Sequence, residues 1–223
     1  MLLIAAGLKR EARILAGPGV RVVAGGGNAA RLERELDAAA GEANAIISMG
    51  LCGALEDGLQ PGDWVVGTDL FTRPPRRDER NLCDPQWAHA LARALDARSG
   101  PILASGAMIA EAADKRAAHA ATGAIAVDME SHIAAAVAAR RGLPFAIARV
   151  VSDAADRSLP KAAQAGMAAD GSMDIGAVLR ALARDPRQLP ALIRVGREAE
   201  TAFRALGRGR DLPRPGIGGP DLG

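Results

Sequence analysis

Short apolar runs that stop at glycine alternate, over the first two thirds of the chain, with stretches whose apolar residues recur every three or four positions. Residues 1–6 form one such run, ending at Gly7. Residues 19–24 form a second, ending in Gly25-Gly26-Gly27, and residues 44–49 a third, ending at Gly50. Runs of this length bounded by glycine predict buried strands. Between the second and third, NAARLERELDAAAG supplies Asn28 as a cap, apolar residues at helical spacing and Gly41 as terminator, which predicts a helix. The alternation continues with strands over 63–70, 101–105, 124–127 and 144–151 and helices over 85–98, 112–121 and 129–141. Elements in this order predict an α/β domain on a largely parallel or mixed sheet.

Beyond Pro160 the pattern is helical throughout, first to about Arg184 and then, past Asp185-Pro186, over 189–206. In the last stretch Leu189, Leu192, Gly196, Ala199, Phe203 and Leu206 fall on one face, with Arg194, Arg197, Glu198 and Arg204 elsewhere. The remaining GRGRDLPRPGIGGPDLG has the glycine, proline and charge content of a disordered tail.

Composition narrows the class. A chain of 223 residues that is 49% hydrophobic buries a sizeable core as one domain with an appendage. Its apolar stretches fall short of the twenty or so residues of a membrane span. The N-terminus is apolar before it is charged, the reverse of a secretory signal, so the expected location is the cytoplasm. Cys52 and Cys83 have no CxxC neighbour, and His89, His119 and His132 are too far apart to pair on one helix, so neither a metal site nor a disulfide framework is expected. The net charge of +2 conceals a basic end: from Arg180 onward there are nine Arg against five acids. With 2% aromatics and no Tyr there is no base-stacking platform, which excludes a nucleic-acid partner.

Ligands of α/β sheets gather beyond the carboxyl ends of strands. The strand PFAIARVV runs into Ser152-Asp153-Ala154-Ala155-Asp156, AIAV into Asp128-Met129-Glu130, and the first strand into Gly7-Leu8-Lys9-Arg10-Glu11. Carboxylates at one edge suit cleavage of a glycosidic bond, which needs a proton on the leaving group and an activated nucleophile at the anomeric carbon. Arg149, inside an otherwise apolar strand, would orient a carboxylate or an anionic co-substrate. Each feature also has a plain reading: Asp153 as a turn residue, Glu130 as favoured by a helix start with Asp128 as cap, and Arg149 as an ion-pair partner of Glu130 or Asp153.

The segment AVDMESHIAAAVAARRGLPFAIARVVSDAAD resembles the signature of the nucleoside phosphorylase and nucleosidase superfamily, especially the methylthioadenosine/S-adenosylhomocysteine nucleosidases. SMGLCGALEDGLQPGDWVVG is similar to the family's glycine turn and following strand, and GLKREARIL to its N-terminal segment. Within the superfamily, AADKRAAHAATGAIAVDMESH and the Arg-rich helical end look most like the hopanoid-associated phosphorylases, proposed to remove adenine from adenosylhopane.

The resemblance implies a single three-layer α/β domain, a central mixed sheet flanked by helices, over residues 1–185. An amphipathic helical extension over 186–206 and a tail over 207–223 follow it. It implies that Asp153, assisted by Ser152, protonates or hydrogen-bonds the purine N7, that Glu130 accepts from the ribose hydroxyls with Met129 lining the sugar, and that Glu11 activates water beside Arg149. Gly50 belongs to the glycine turn, and Met108 and Ile109 stand where the nucleosidases stack an aromatic on adenine. Leu51 replaces the Ser with which that turn contacts water or phosphate. No cofactor is implied beyond inorganic phosphate as a co-substrate, for which Gly25, Gly26 and Gly27 with Arg31, or Arg73, Arg76 and Arg77, are candidates. The cations preceding Glu11 are expected to lower its pKa.

Cleavage of an adenine nucleoside, by phosphorolysis or hydrolysis, is the leading expectation. Its rival is a non-catalytic nucleoside-binding protein of the same fold. The expected partners are a nucleoside with a hydrophobic, lipid-linked 5′ side, a peripheral membrane surface met by the C-terminal helix, and further copies of the chain in a homodimer or larger homo-oligomer.

Overall fold

The computed structural model describes residues 1–73, 83–166 and 174–210. Its elements, in order, are β1 (Leu2–Ala6), α1 (Lys9–Leu15), β2 (Val20–Ala24), α2 (Ala29–Ala39), β3 (Ala45–Ala54), β4 (Trp64–Arg73), α3 (Pro85–Leu95), β5 (Arg98–Ser105), α4 (Ala112–Thr122), β6 (Ala126–Asp128), α5 (Ser131–Arg141), β7 (Phe145–Asp153), α6 (Lys161–Ala165), α7 (Ile175–Arg184) and α8 (Leu189–Arg210).

The strands form one mixed sheet. β1 lies parallel to β2 and β3, and β3 lies parallel to β7; β4 and β5, and β5 and β6, are also parallel. Antiparallel contacts of β3 with β6 and of β4 with β7 complete the set. Because β3 pairs with both β7 and β6, the five strands β3, β6, β5, β4 and β7 close on themselves and β1 and β2 extend from the ring. Helices cover the sheet on separate faces. Leu32 and Leu36 of α2 and Ile133 and Val137 of α5 pack into one core, and Leu15 of α1, Trp87 and Leu91 of α3 and Leu206 of α8 into another. This is the expected three-layer α/β architecture. Strands buried on both sides read as continuous apolar runs rather than alternating ones, as β1 does.

Several boundaries differ from the sequence reading for identifiable reasons. Helix α1 was not expected between the first two strands; its seven residues are too few to display a helical period. β3 does not stop at Gly50 but runs four residues further, and Gly50 sits in the ladder opposite Arg149. The third helix ends at Leu95 because Asp96 turns left-handed at φ 50°, so Arg98 opens a strand instead of closing a helix. β6 begins two residues later than expected. α5 begins at Ser131 rather than Met129, because Asp128 Oδ1 accepts from the backbone of Glu130 and Ser131 and caps the helix from its far side. β7 carries Ser152 and Asp153 within it.

α8 continues to Arg210, so the first four residues assigned to the tail are helical. The expected disorder of 211–223 lies outside the described residues, as do Arg76, Arg77 and the middle of the helical stretch after Pro160. The two halves of α8 differ. Ala202, Phe203, Ala205 and Leu206 are buried against the sheet and Gly209 packs on Trp64, whereas Leu189 and Ile193 are each 47% exposed. No helix among the described residues is long and apolar enough to cross a membrane.

Candidate active site

The parallel register of β3 with β7 sets Gly50 opposite Arg149, Leu51 opposite Val150 and Cys52 opposite Val151. A bulge then brings Gly53 opposite Asp153. Three glycines leave the room that the acidic side chains need. A Cβ at Gly7 would lie 2.9 Å from Glu130 Oε1, one at Gly50 2.8 Å from Glu11 Oε2 and 2.9 Å from Arg149 Nη1, and one at Gly53 3.2 Å from Asp153 Oδ2. Gly50 thus serves close approach of side chains inside a strand, not a turn.

At one end of the site Arg149, fully buried, is the hub. Its Nη2 donates to Ser48 Oγ at 2.6 Å, its Nε lies 3.0 Å from Asp128 Oδ2, and Nη2 lies 3.3 Å from Glu130 Oε2. Ser131 Oγ contacts Asp128 Oδ2 and lies 3.0 Å from Ser48 Oγ. Arg149 donates to Ser48, Ser48 and Ser131 share a hydrogen bond, Ser131 contacts Asp128, and an ion pair between Asp128 Oδ2 and Arg149 Nε closes the loop. This closed circuit fixes the guanidinium, so the ion-pair reading of Arg149 holds toward Asp128 and Glu130 rather than Asp153. A buried cation is tolerable only when compensated in this way.

Glu11, 2% exposed, accepts from the backbone of Gly7 at 2.7 Å, Leu8 at 2.9 Å and Leu51 at 2.9 Å. Burial raises its pKa against the opposing pull of Arg149 and these amides. The expected lowering by Lys9 and Arg10 does not occur. Both are exposed, and Arg10 turns away to pair with Glu200 and lie over the Phe203 ring. Glu130 is pushed up to about 7, chiefly by burial, with Arg149 lowering it and Asp128 and Glu11 adding to the rise.

At the other end Asp153, 8% exposed, is met by Lys115 of α4, which is completely buried. Ser152 Oγ lies 2.7 Å from Asp153 Oδ1 and 3.0 Å from the Cys52 carbonyl. Two hollows adjoin at Gly106. An open cleft of about 500 Å³ is lined by Ser105, Gly106, Ala107, Met108, Ile109 and Asp114, and the second, narrower hollow by Gly25, Gly27, Met129, Glu130 and His132 among others. Two of the three clustered glycine amides are engaged within the fold: Gly25 N donates to Ala6 O and Gly26 N to Gly7 O.

Glu11, Gly50, Glu130 and Arg149 are therefore one cluster. Ser152 and Asp153 continue it along β7, and Met108, Ile109, Met129, Gly25 and Gly27 line the adjoining hollows, from whose lining Gly26 is missing. The sequence reading missed Gly7, Gly53, Ser48 and Ser131, and above all Lys115. The signals were faint: a serine in an apolar strand, and a lysine in register with Ala112 and Ala118 on the buried face of α4.

Solved structures share this fold. A 5′-methylthioadenosine/S-adenosylhomocysteine nucleosidase from Helicobacter pylori superposes with a TM-score of 0.62 at 14% identity, covering 94% of this chain and 97% of that one. The S-adenosylhomocysteine nucleosidase of Streptococcus pyogenes gives 0.62 at 18% identity, covering 95% and 97%. Futalosine hydrolase of Helicobacter pylori gives 0.58 at 14% identity, covering 68% and 87%. Among curated proteins no sequence matches this chain. The sequence profile of the Phosphorylase superfamily matches residues 3–184, most of the chain and every element that builds the site. The chain thus belongs to the Phosphorylase superfamily and is an enzyme of the nucleoside phosphorylase and nucleosidase kind.

Proposed function

We propose that this enzyme cleaves the N-glycosidic bond of a purine nucleoside, with adenine as the leaving base and water as the attacking group. The observation that carries the reading is one buried cluster: Arg149 of β7 lies 3.3 Å from Glu130, Glu11 accepts from the Leu51 amide of β3, and Ser152 and Asp153 follow Arg149 along β7. Glu11, a buried carboxylate whose pKa burial raises, has the proton affinity of a base that activates water. Glu130 receives the ribose hydroxyls beside Met129. Asp153, with Ser152, serves the purine nitrogen, and Met108 and Ile109 cover the base.

Charge favours water over phosphate. Three carboxyl groups, Glu11, Asp128 and Glu130, already engage the one guanidinium, so an incoming phosphate dianion would find that cation neutralised. Leu51 has no hydroxyl to offer and its N–H is taken by Glu11. No cofactor is required, and inorganic phosphate is the alternative co-substrate. Incubating adenosine or methylthioadenosine with and without phosphate decides the matter. Free sugar released at the same rate in both supports hydrolysis, ribose 1-phosphate reverses it, and tight binding without product returns the non-catalytic reading.

A hydrophobic 5′ substituent, as in adenosylhopane, and a peripheral contact with an anionic membrane belong to the same proposal. They are supported by Leu189 and Ile193 of the C-terminal helix α8, each 47% exposed and in sequence beside Arg187, Arg194 and Arg197, and by Ile175 and Leu179 of the preceding α7, 64% and 60% exposed and in sequence beside Arg180 and Arg184. Each such Arg near an anionic surface contributes about 1 kcal/mol. Ile175→Asp with Leu179→Asp is expected to abolish sedimentation with phosphatidylglycerol vesicles and to spare methylthioadenosine cleavage. Unchanged sedimentation removes the membrane contact. A homodimer or larger homo-oligomer is the proposed assembly, which sedimentation velocity measures.

A further inference from the structure

Lys115 reaches the base end of the site from α4 and is fully buried. Its ammonium has three N–H bonds, and three acceptors surround it: Asp153 Oδ2, the Ala154 carbonyl at 2.9 Å and the Arg157 carbonyl at 3.1 Å. The cation is thereby fixed before any substrate arrives. Ser152 adds a second constraint. Its hydroxyl carries one proton but faces two oxygens, Asp153 Oδ1 and the Cys52 carbonyl. With Asp153 ionised, Ser152 donates to Oδ1. With Asp153 protonated at Oδ1, Ser152 donates to the Cys52 carbonyl and the Asp153 O–H is left to the purine. The two states differ by one proton on Asp153 and by the rotation of one hydroxyl, and every heavy atom stays in place.

We infer that Lys115 is a positioning residue for departure of the base, stabilising the carboxylate that Asp153 becomes when it protonates the leaving purine. The inference rests on the role of Asp153 proposed above. As the glycosidic C–N bond breaks, its electron pair passes to the purine. The O–H bond of Asp153 breaks and an N–H bond forms on the purine ring. The carboxylate left behind is met by the ammonium at Oδ2 and by the reoriented Ser152 hydroxyl at Oδ1. A charge held in advance where negative charge develops needs no reorganisation during the reaction. Lys115 touches no substrate and acts through Asp153 alone.

The test compares two leaving groups on the full chain. A purine needs a proton to depart, whereas 4-nitrophenyl β-D-ribofuranoside releases an anion that needs none. In Lys115→Met and Lys115→Gln, kcat for the purine nucleoside is expected to fall roughly 10²-fold, while turnover of the nitrophenyl riboside stays close to wild type. Equal losses on both substrates, or no loss on the nucleoside, overturn the inference. Should both variants fail to fold by circular dichroism, Lys115→Met combined with Asp153→Asn removes the unpaired charge with its partner. Nucleoside turnover equal to that of Asp153→Asn alone then supports the inference, and a further loss overturns it. Wild-type protein that cleaves neither substrate overturns the reading of the whole site, and this inference with it.

Discussion

The two ends of the site handle charge differently. At the end proposed to take the base one carboxylate, Asp153, meets one ammonium, Lys115; at the end proposed to take the ribose Glu11, Asp128 and Glu130 share the single guanidinium of Arg149. In a one-to-one pair the ammonium balances the acid once that acid gives up its proton. A three-to-one cluster in a buried place retains protons instead, which is why burial and neighbouring acids push Glu130 up to about 7. In the proposed reading the fold thus keeps a ready counter-charge where the leaving group would need a proton and a proton store where the sugar and the nucleophile would bind.

The largest effect is expected from removing the hub of the ribose end. Arg149→Met leaves three acids without a counter-charge and opens the circuit through Ser48, Ser131 and Asp128. Breaking a buried ion pair costs about 3–5 kcal/mol, so urea midpoints should fall sharply and activity vanish; a variant of native stability would show that the acids do not depend on Arg149. Asp153→Asn should lower turnover by roughly 10²- to 10⁴-fold, the range of a positioned general acid. It should also destabilise the fold, because Lys115 loses its counter-charge. Near-normal turnover would dissolve the distinction between the ends.

Gly50→Ala drives a Cβ against Glu11 and Arg149 at once. The displaced base should cost kcat roughly 10²-fold, the scale of a misplacement of about 1 Å, with less effect on KM. Glu130→Gln probes the proton store. Between the ordinary value of 4.5 and about 7 the native state binds a proton at Glu130 that the unfolded chain lacks. This contribution to stability is therefore complete below 4.5 and lost as pH rises to about 7. Thermal melts of the Gln variant should lack that decline, and its discrimination between ribose and 2′- or 3′-deoxyribose substrates should weaken. The smallest change is Ser131→Ala, which removes one link of the circuit and should cost about 1–3 kcal/mol, with Asp153-dependent base departure unaffected.

Much of this was legible in the sequence, for local reasons. Glycine-bounded apolar runs marked the strands, and Asn28 marked a helix whose cap the structure shows. Asp153, Glu130, Glu11 and Arg149 stood out because each interrupts or ends an apolar run. What stayed hidden depends on contacts across the chain. Gly50 reads as a turn because glycine most often serves backbone conformation, whereas here it makes space for side chains from β7 and α1. Lys115 reads as a solvated helix residue, since nothing within α4 announces a carboxylate 38 positions away. Ser48 and Ser131 are small polar residues whose meaning appears only once Arg149 docks on Ser48 and Ser131 joins it to Asp128.

The closure of β3 onto β7 has a consequence for how the enzyme comes into being. The hydrogen bond from Arg149 to Ser48 spans 101 positions and that from Ser131 to Ser48 spans 83, so a chain emerging from the ribosome makes β3 long before the strand that completes it. Until β7 docks, Ser48 and Glu11 have no cation beside them and the ring of strands is open at its centre. Contacts of such separation form slowly, because the loop entropy must be overcome before any of them is made. Activity is accordingly expected to appear in a single late step of refolding, together with burial of Trp64, whose strand pairs with β7 and whose ring packs on α8.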